Sequence, residues 1–141
     1  MQKPSGYELR DHTADIALYA WSDTLEGLFA SAGRGLYAAI GELKPMGSAV
    51  GAVIELRAGD AESLLHDFLS ELLFHFETKH VLYSDFEFTR LDDNVLRANA
   101  RVADMDERGS ILDREVKAVT FHDVSIVRAS GQYQVTFILD I

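Results

Sequence analysis

The chain contains no cysteine and only two prolines among its 141 residues. The absence of thiols excludes disulfides, thiolate zinc sites, iron–sulfur clusters and cysteine-based catalysis. No apolar run approaches the ~20 residues that span a bilayer as a helix, and Met1–Arg10 lacks the basic-then-apolar build of a secretory signal. Positive charge is scarce too: 13 Lys and Arg stand against 23 Asp and Glu, a formal net of −10. That balance argues against a broad surface gripping nucleic-acid backbones, and no membrane partner is expected. It favours a cytoplasmic protein that meets cations or basic protein surfaces. Phosphate loops, dinucleotide-binding glycine motifs, H-E-x-x-H and G-x-S-x-G are all missing, so no motif announces an enzyme.

What is present is 48% apolar residues, enough for one packed domain over residues 1–141 that buries roughly two thirds of the unfolded chain's surface. Tyr7–Asp11 and Ile16–Trp21 read as strands, the second apolar on both faces and therefore interior. Asp23, with Glu26 three residues on, reads as a helix cap, opening a helix with Leu25, Leu28, Phe29, Ala32, Leu36 and Ile40 at helical spacing. Gly33 and Gly35 weaken it by about 1 kcal/mol each relative to alanine, and Gly41 ends it. Gly47–Gly51 reads as loop and Val50–Arg57 as a strand. Asp60 caps a second helix whose stripe is Leu64, Leu65, Phe68, Leu69, Leu72, Leu73 and Phe76. Strands follow at Ser84–Leu91 and Val95–Val102 across Asp92-Asp93-Asn94, then an acidic loop, Ala103–Asp113. Glu115–His122, Ser125–Ser130 and Gln132–Leu139 complete the chain, the last two joined at Ser130-Gly131. The expected class is α+β: two helices packed on one face of a largely antiparallel β-sheet.

Several polar groupings read as ordinary surface. Asp67, Glu71 and His75 share a helix face and support the helix through i,i+4 contacts rather than a cation site. His66 and His80 read as boundary residues. Asp104–Glu115 has the acid, glycine and glutamate spacing of a calcium loop, but Arg108 occupies a ligand position and strands flank it, whereas the motif belongs between helices.

Two segments are more suggestive. His12-Thr13-Ala14-Asp15 sits between two strands, where an acid ordinarily caps a turn. At the other end the Asp140 side chain and the Ile141 carboxylate are neighbouring anions. If the last strand lies beside Asp15, three carboxylates converge, and close carboxylates require a proton or a hard cation. In Lys117-Ala118-Val119-Thr120-Phe121-His122, Lys117 and His122 read either as strand-end residues reaching water or as a proton-transferring or phosphate-facing pair near those carboxylates.

Together these segments resemble the archease family: Tyr7-Glu8 before His12-Thr13-Ala14-Asp15-Ile16, Thr24–Phe29, Leu64–Leu73, Lys117–His122 and Ile138-Leu139-Asp140-Ile141. The chain departs from the family pattern at Asp113-Arg114, at Ser110 and in the glycines of the first helix. The resemblance implies a small α+β accessory protein, not an enzyme. Its divalent metal, calcium or alternatively magnesium or manganese, would be held by Asp15, Asp140 and Ile141. It also implies a partner, the GTP-dependent ligase that joins 3′-phosphate RNA ends in tRNA splicing and RNA repair, whose guanylylation and turnover the protein promotes. Lys117 becomes a functional residue near the GTP phosphates, with His12 and His122 in the partner-facing motifs. The alternatives are a chaperone-like modulator of a tRNA methyltransferase or other RNA-modifying enzyme, and a small metal-dependent hydrolase using Asp15, His122 and Lys117.

Overall fold

In the computed structural model, which describes residues 4–12 and 14–141, the chain runs through β1 (Ser5–His12), β2 (Asp15–Ser22), α1 (Leu25–Ile40), β3 (Gly41–Glu42), β4 (Pro45–Arg57) and α2 (Ala61–Lys79). It continues through β5 (Val81–Leu91), β6 (Val95–Met105), β7 (Ile111–Leu112), β8 (Ala118–Val119), β9 (Val127–Ala129) and β10 (Gln132–Asp140).

Local hydrogen bonds set the helix ends. α1 is capped by Thr24, whose hydroxyl accepts the Gly27 N–H at 3.0 Å, one residue later than the Asp23 cap expected. Asp23 precedes the cap, its N–H donating to the Pro4 carbonyl, and Ser22 Oγ accepts the Thr24 N–H. Glu26 still lies in the first turn, where it faces the positive end of the helix. Gly41 caps the C-terminus as expected, its N–H donating to the Tyr37 carbonyl. α2 starts as read, with Asp60 Oδ1 accepting the Ser63 N–H at 2.7 Å, and ends at His80 in the left-handed region at φ 52°.

Every strand pair is antiparallel, and the strands divide among three sheets. The first is ordered β1-β2-β10-β8, with β9 also on β10; β3 pairs with β7; the third is β4-β6-β5. β2 is interior, as its two apolar faces imply. Other boundaries differ from the sequence reading. Gly47–Gly51 belongs to β4, which meets β6 from Pro45 onward with a register shift between Met46 and Val50, so the glycines mark an irregularity rather than a loop. Ala103–Met105 extend β6, and Ile111–Leu112 pair with β3, leaving a shorter acidic turn between them. The strand expected over Glu115–His122 reduces to Ala118–Val119. Val116 and Val119 are both buried three residues apart, a spacing that strand alternation does not allow.

α1 packs on β1 and β2 and touches β5, whereas α2 packs against β4, β5, β6 and β8. The five- and three-stranded sheets therefore share one core with the helices, built on Leu18, Phe29, Phe68, Leu96 and Phe137. The α1 glycines have separate packing roles. A Cβ on Gly33 would lie 3.2 Å from Leu72 Cδ1 of α2, and one on Gly35 would overlap Leu18 Cδ1 of β2. The cost in helix propensity accompanies close approach to both neighbours.

Candidate functional site at one end of the five-stranded sheet

The register of the first sheet brings distant segments together. Ile16 pairs with Asp11 on one side and Leu139 on the other, and Leu139 also pairs with Val119. Ile16, Leu18 and Ala20 of β2 are buried, as are Val135, Phe137 and Leu139 of β10. By alternation Asp15 and Asp140 belong to the opposite face, one residue beyond the Ile16–Leu139 pair. His12 pairs with Asp15, and Ala118 with Asp140. His12, Asp15, Asp140 and Ala118 thus form a row across four neighbouring strands, whose backbones in any sheet are about 4.7–4.9 Å apart.

The rest of the row is set from the Lys117 side. The Lys117 N–H donates to the Asp140 carbonyl at 2.7 Å, and the Thr120 N–H to the Ile138 carbonyl at 2.9 Å. These bonds hold the segment beside the end of β10 while the Lys117 side chain remains exposed. Ala118, opposite Asp140, adds only a methyl group to the row. The Ile141 side chain packs against the core. Thr13 lies outside the described residues.

The donor chemistry of this end suits a hard cation. Asp15 and Asp140 place two carboxylates on adjacent strands, the oxygen donors that hard cations prefer. Among the described residues no set of three or more His, Asp or Glu side chains forms a ligand cluster. Side chains alone therefore do not make up the ligand set that calcium, magnesium or manganese requires at this end.

Other candidates fall elsewhere. His122 follows the opposite end of β8, exposed and 3.1 Å from Asp123 Oδ2. Glu71 Oε1 bonds His75 Nε2 at 2.8 Å, whereas Asp67 turns to His66, so that face forms two separate pairs. In the calcium-like loop the Asp106 carboxylate accepts the Arg108 N–H, and strands flank it as read. His66, read as a boundary residue, is part-buried and bridges two elements. Its Nε2 donates to the Val119 carbonyl at 2.8 Å, and its ring meets Phe121 edge-on at 5.3 Å, tying α2 to the short β8.

Fold and site together define a class: small acidic α+β proteins in which two helices join antiparallel sheets and an acidic row closes one sheet end. The Archease protein family model matches residues 7–141. Protein archease of Methanopyrus kandleri is 34% identical over 138 residues, covering 96% of this chain and 99% of its own. Protein archease of Pyrococcus furiosus is 31% identical over 140 residues, covering 96% and 98%. The solution structure of Methanobacterium thermoautotrophicum protein 1598 superposes with a TM-score of 0.74 at 30% identity, covering 96% of this chain and 99% of that one. A crystal structure described as an archease, possible chaperone, from Thermotoga maritima shares the fold, with a TM-score of 0.67 at 18% identity over 100% and 98% of the two chains. The chain belongs to the archease family.

Proposed function

We propose that this chain is an accessory protein without catalysis of its own, which activates a GTP-dependent ligase joining 3′-phosphate RNA ends in tRNA splicing and repair. The observation carrying this reading is the juxtaposition of Asp15, Asp140 and Lys117 at one sheet end in a chain of the archease family. Asp15, Asp140 and the Ile141 carboxyl group would hold a divalent ion, calcium foremost, with magnesium or manganese as alternatives. When bound, the ion supplies positive charge that stabilises phosphate oxygens. Lys117, whose side chain is exposed, would add an ammonium that faces the partner's GTP phosphates or its guanylylated histidine. His12 lies at the same end, whereas His122, which follows the other end of β8, would meet the partner only through a wider contact. The net charge of −10 steers the protein toward a basic RNA-binding enzyme in the cytoplasm.

The test is joining of a 3′-phosphate RNA by the cognate ligase under multiple-turnover conditions. Added protein should convert a single-turnover reaction into a sustained one, and Asp15→Ala should abolish that gain with the fold intact. Unchanged turnover, accompanied by higher solubility of a tRNA methyltransferase or similar partner, would instead favour the chaperone-like reading suggested by the description of the Thermotoga maritima relative. Phosphate-ester hydrolysis by the protein alone would favour a hydrolase.

A further inference from the structure

α1, the first half of β4 and the start of β5 enclose a cleft of about 760 Å³ that shares no residue with the sheet-end row. Its volume lies in the range of small-molecule sites, about 300–1,000 Å³. Tyr37, Leu43, Leu82 and Phe86 give it apolar and aromatic walls, and Arg34 and Asp85 are its charged lining residues. Both charges are exposed. Among the described residues neither forms an ion pair. Among those same residues the Arg34 guanidinium is bonded only to Ser31 Oγ, at 3.0 Å, in a chain with a large excess of carboxylates.

The Asp85 backbone is also unusual. Its φ is 53°, in the left-handed region, where the pairing of β5 with β6 shifts between Ser84 and Glu87. Such irregularities re-aim a side chain out of the strand's alternation, and Asp85 lines this cleft while also bordering a second groove beside Gly51 and Arg101. One wall region is rigidly held as well: the Tyr37 hydroxyl accepts the Tyr83 N–H at 3.0 Å, and the Phe86 ring packs on Phe68 with centroids 5.1 Å apart.

We propose that this cleft binds a nucleoside monophosphate. Each part of that ligand class answers one part of the lining. A guanidinium forms paired charge-assisted hydrogen bonds with phosphate oxygens. A flat base gains contact area against aromatic and aliphatic walls. An ionised carboxylate is acceptor-only and takes the N–H or O–H donors of a base edge or ribose. A simple anion would use Arg34 alone, and a purely apolar ligand would leave both charges unmatched.

The experiment is equilibrium dialysis of the full chain against GMP, AMP and inorganic phosphate, with thermal melting of each variant as a check on folding. Saturable one-to-one binding of at least one nucleotide is expected, about tenfold or more tighter than inorganic phosphate. Arg34→Ala should weaken it by about tenfold or more, the scale of one lost charge-assisted contact, and Arg34→Lys should restore part of the loss. Asp85→Asn, which suits the left-handed backbone equally well, should weaken the nucleotide and leave phosphate unaffected. Asp15→Ala should bind as the unaltered protein does. The proposal is overturned if neither nucleotide binds at millimolar concentration, if phosphate binds as tightly, if Arg34→Ala and Asp85→Asn are both without effect, or if Asp15→Ala removes the binding.

Discussion

The Lys117 N–H donates to the Asp140 carbonyl at 2.7 Å, so the segment carrying the exposed lysine is held by its backbone at the end of the strand that carries the carboxylate. Because the donor is main-chain, side chain and scaffold can be separated by mutation. Lys117→Ala keeps the bond and should melt within about 0.5 kcal/mol of the unaltered protein, as exposed substitutions usually do, yet should lose most stimulation of the ligase. Lys117→Pro removes the N–H itself and should lower stability as well. Melting curves beside a turnover assay distinguish the two; a fully stimulating Lys117→Ala would rule out a role for the ammonium.

Tyr37 predicts an alkaline effect. Burial pushes its phenol above the ordinary value of 10.0, because the ionised form is desolvated. The folded state therefore holds the proton that the unfolded chain releases, and stability must fall as pH rises past the unfolded value. Tyr37→Phe should flatten that alkaline limb. At neutral pH it should cost about 1–3 kcal/mol, since the Tyr83 N–H loses its acceptor. Urea denaturation at neutral and alkaline pH measures both effects.

At the acid end the relevant group is Asp60. The Ser63 N–H and hydroxyl hold its carboxyl below the ordinary value of 3.8. A lowered folded pKa means that its contribution is present above the unfolded value and lost as pH falls through the folded one. Asp60→Asn retains an acceptor for the cap but cannot titrate, so its stability should vary less across that window. Asp60→Ala should lower the stability of α2 at neutral pH. Acid titration of the thermal midpoint compares the three proteins.

Gly35→Ala sets two effects against each other. Alanine gains about 1 kcal/mol of helix propensity, but its Cβ would overlap Leu18 Cδ1, part of a fully buried side chain. Overpacking of this kind costs about 1–3 kcal/mol, so a net destabilisation of about 1 kcal/mol is expected from chemical denaturation. A stabilised variant would show that Leu18 can be displaced without cost.

Features whose causes lie within a few residues are legible in the amino-acid sequence. The Asp60 cap, the Leu64–Leu73 stripe, the Asp92-Asp93-Asn94 turn and the hairpin at Ser130-Gly131, where both residues have positive φ, each depend on a local hydrogen bond or a side-chain period. The Asp23 assignment fails by one residue because the Thr24 hydroxyl, not the Asp23 carboxylate, accepts the free N–H of the first turn, that of Gly27. Residues 115–122 fail as a full strand because only Ala118 and Val119 register against β10, with single flanking bonds from Lys117 and Thr120; an apolar run does not reveal how much of it has a partner.

The sequence by itself determined two amphipathic helices, antiparallel strands, an acidic surface and the motif residues that suggested a site. Tertiary structure alone decided that the strands divide into three sheets and that Asp15 and Asp140 lie on neighbouring strand ends. It also placed Arg34 and Asp85 on one cleft and His122 past the opposite end of its short strand. The physical reason is the range of the interactions. Capping and periodicity act over one or two turns, whereas sheet register is settled only when edges from opposite ends of the chain compete for the same backbone hydrogen bonds and the same buried face.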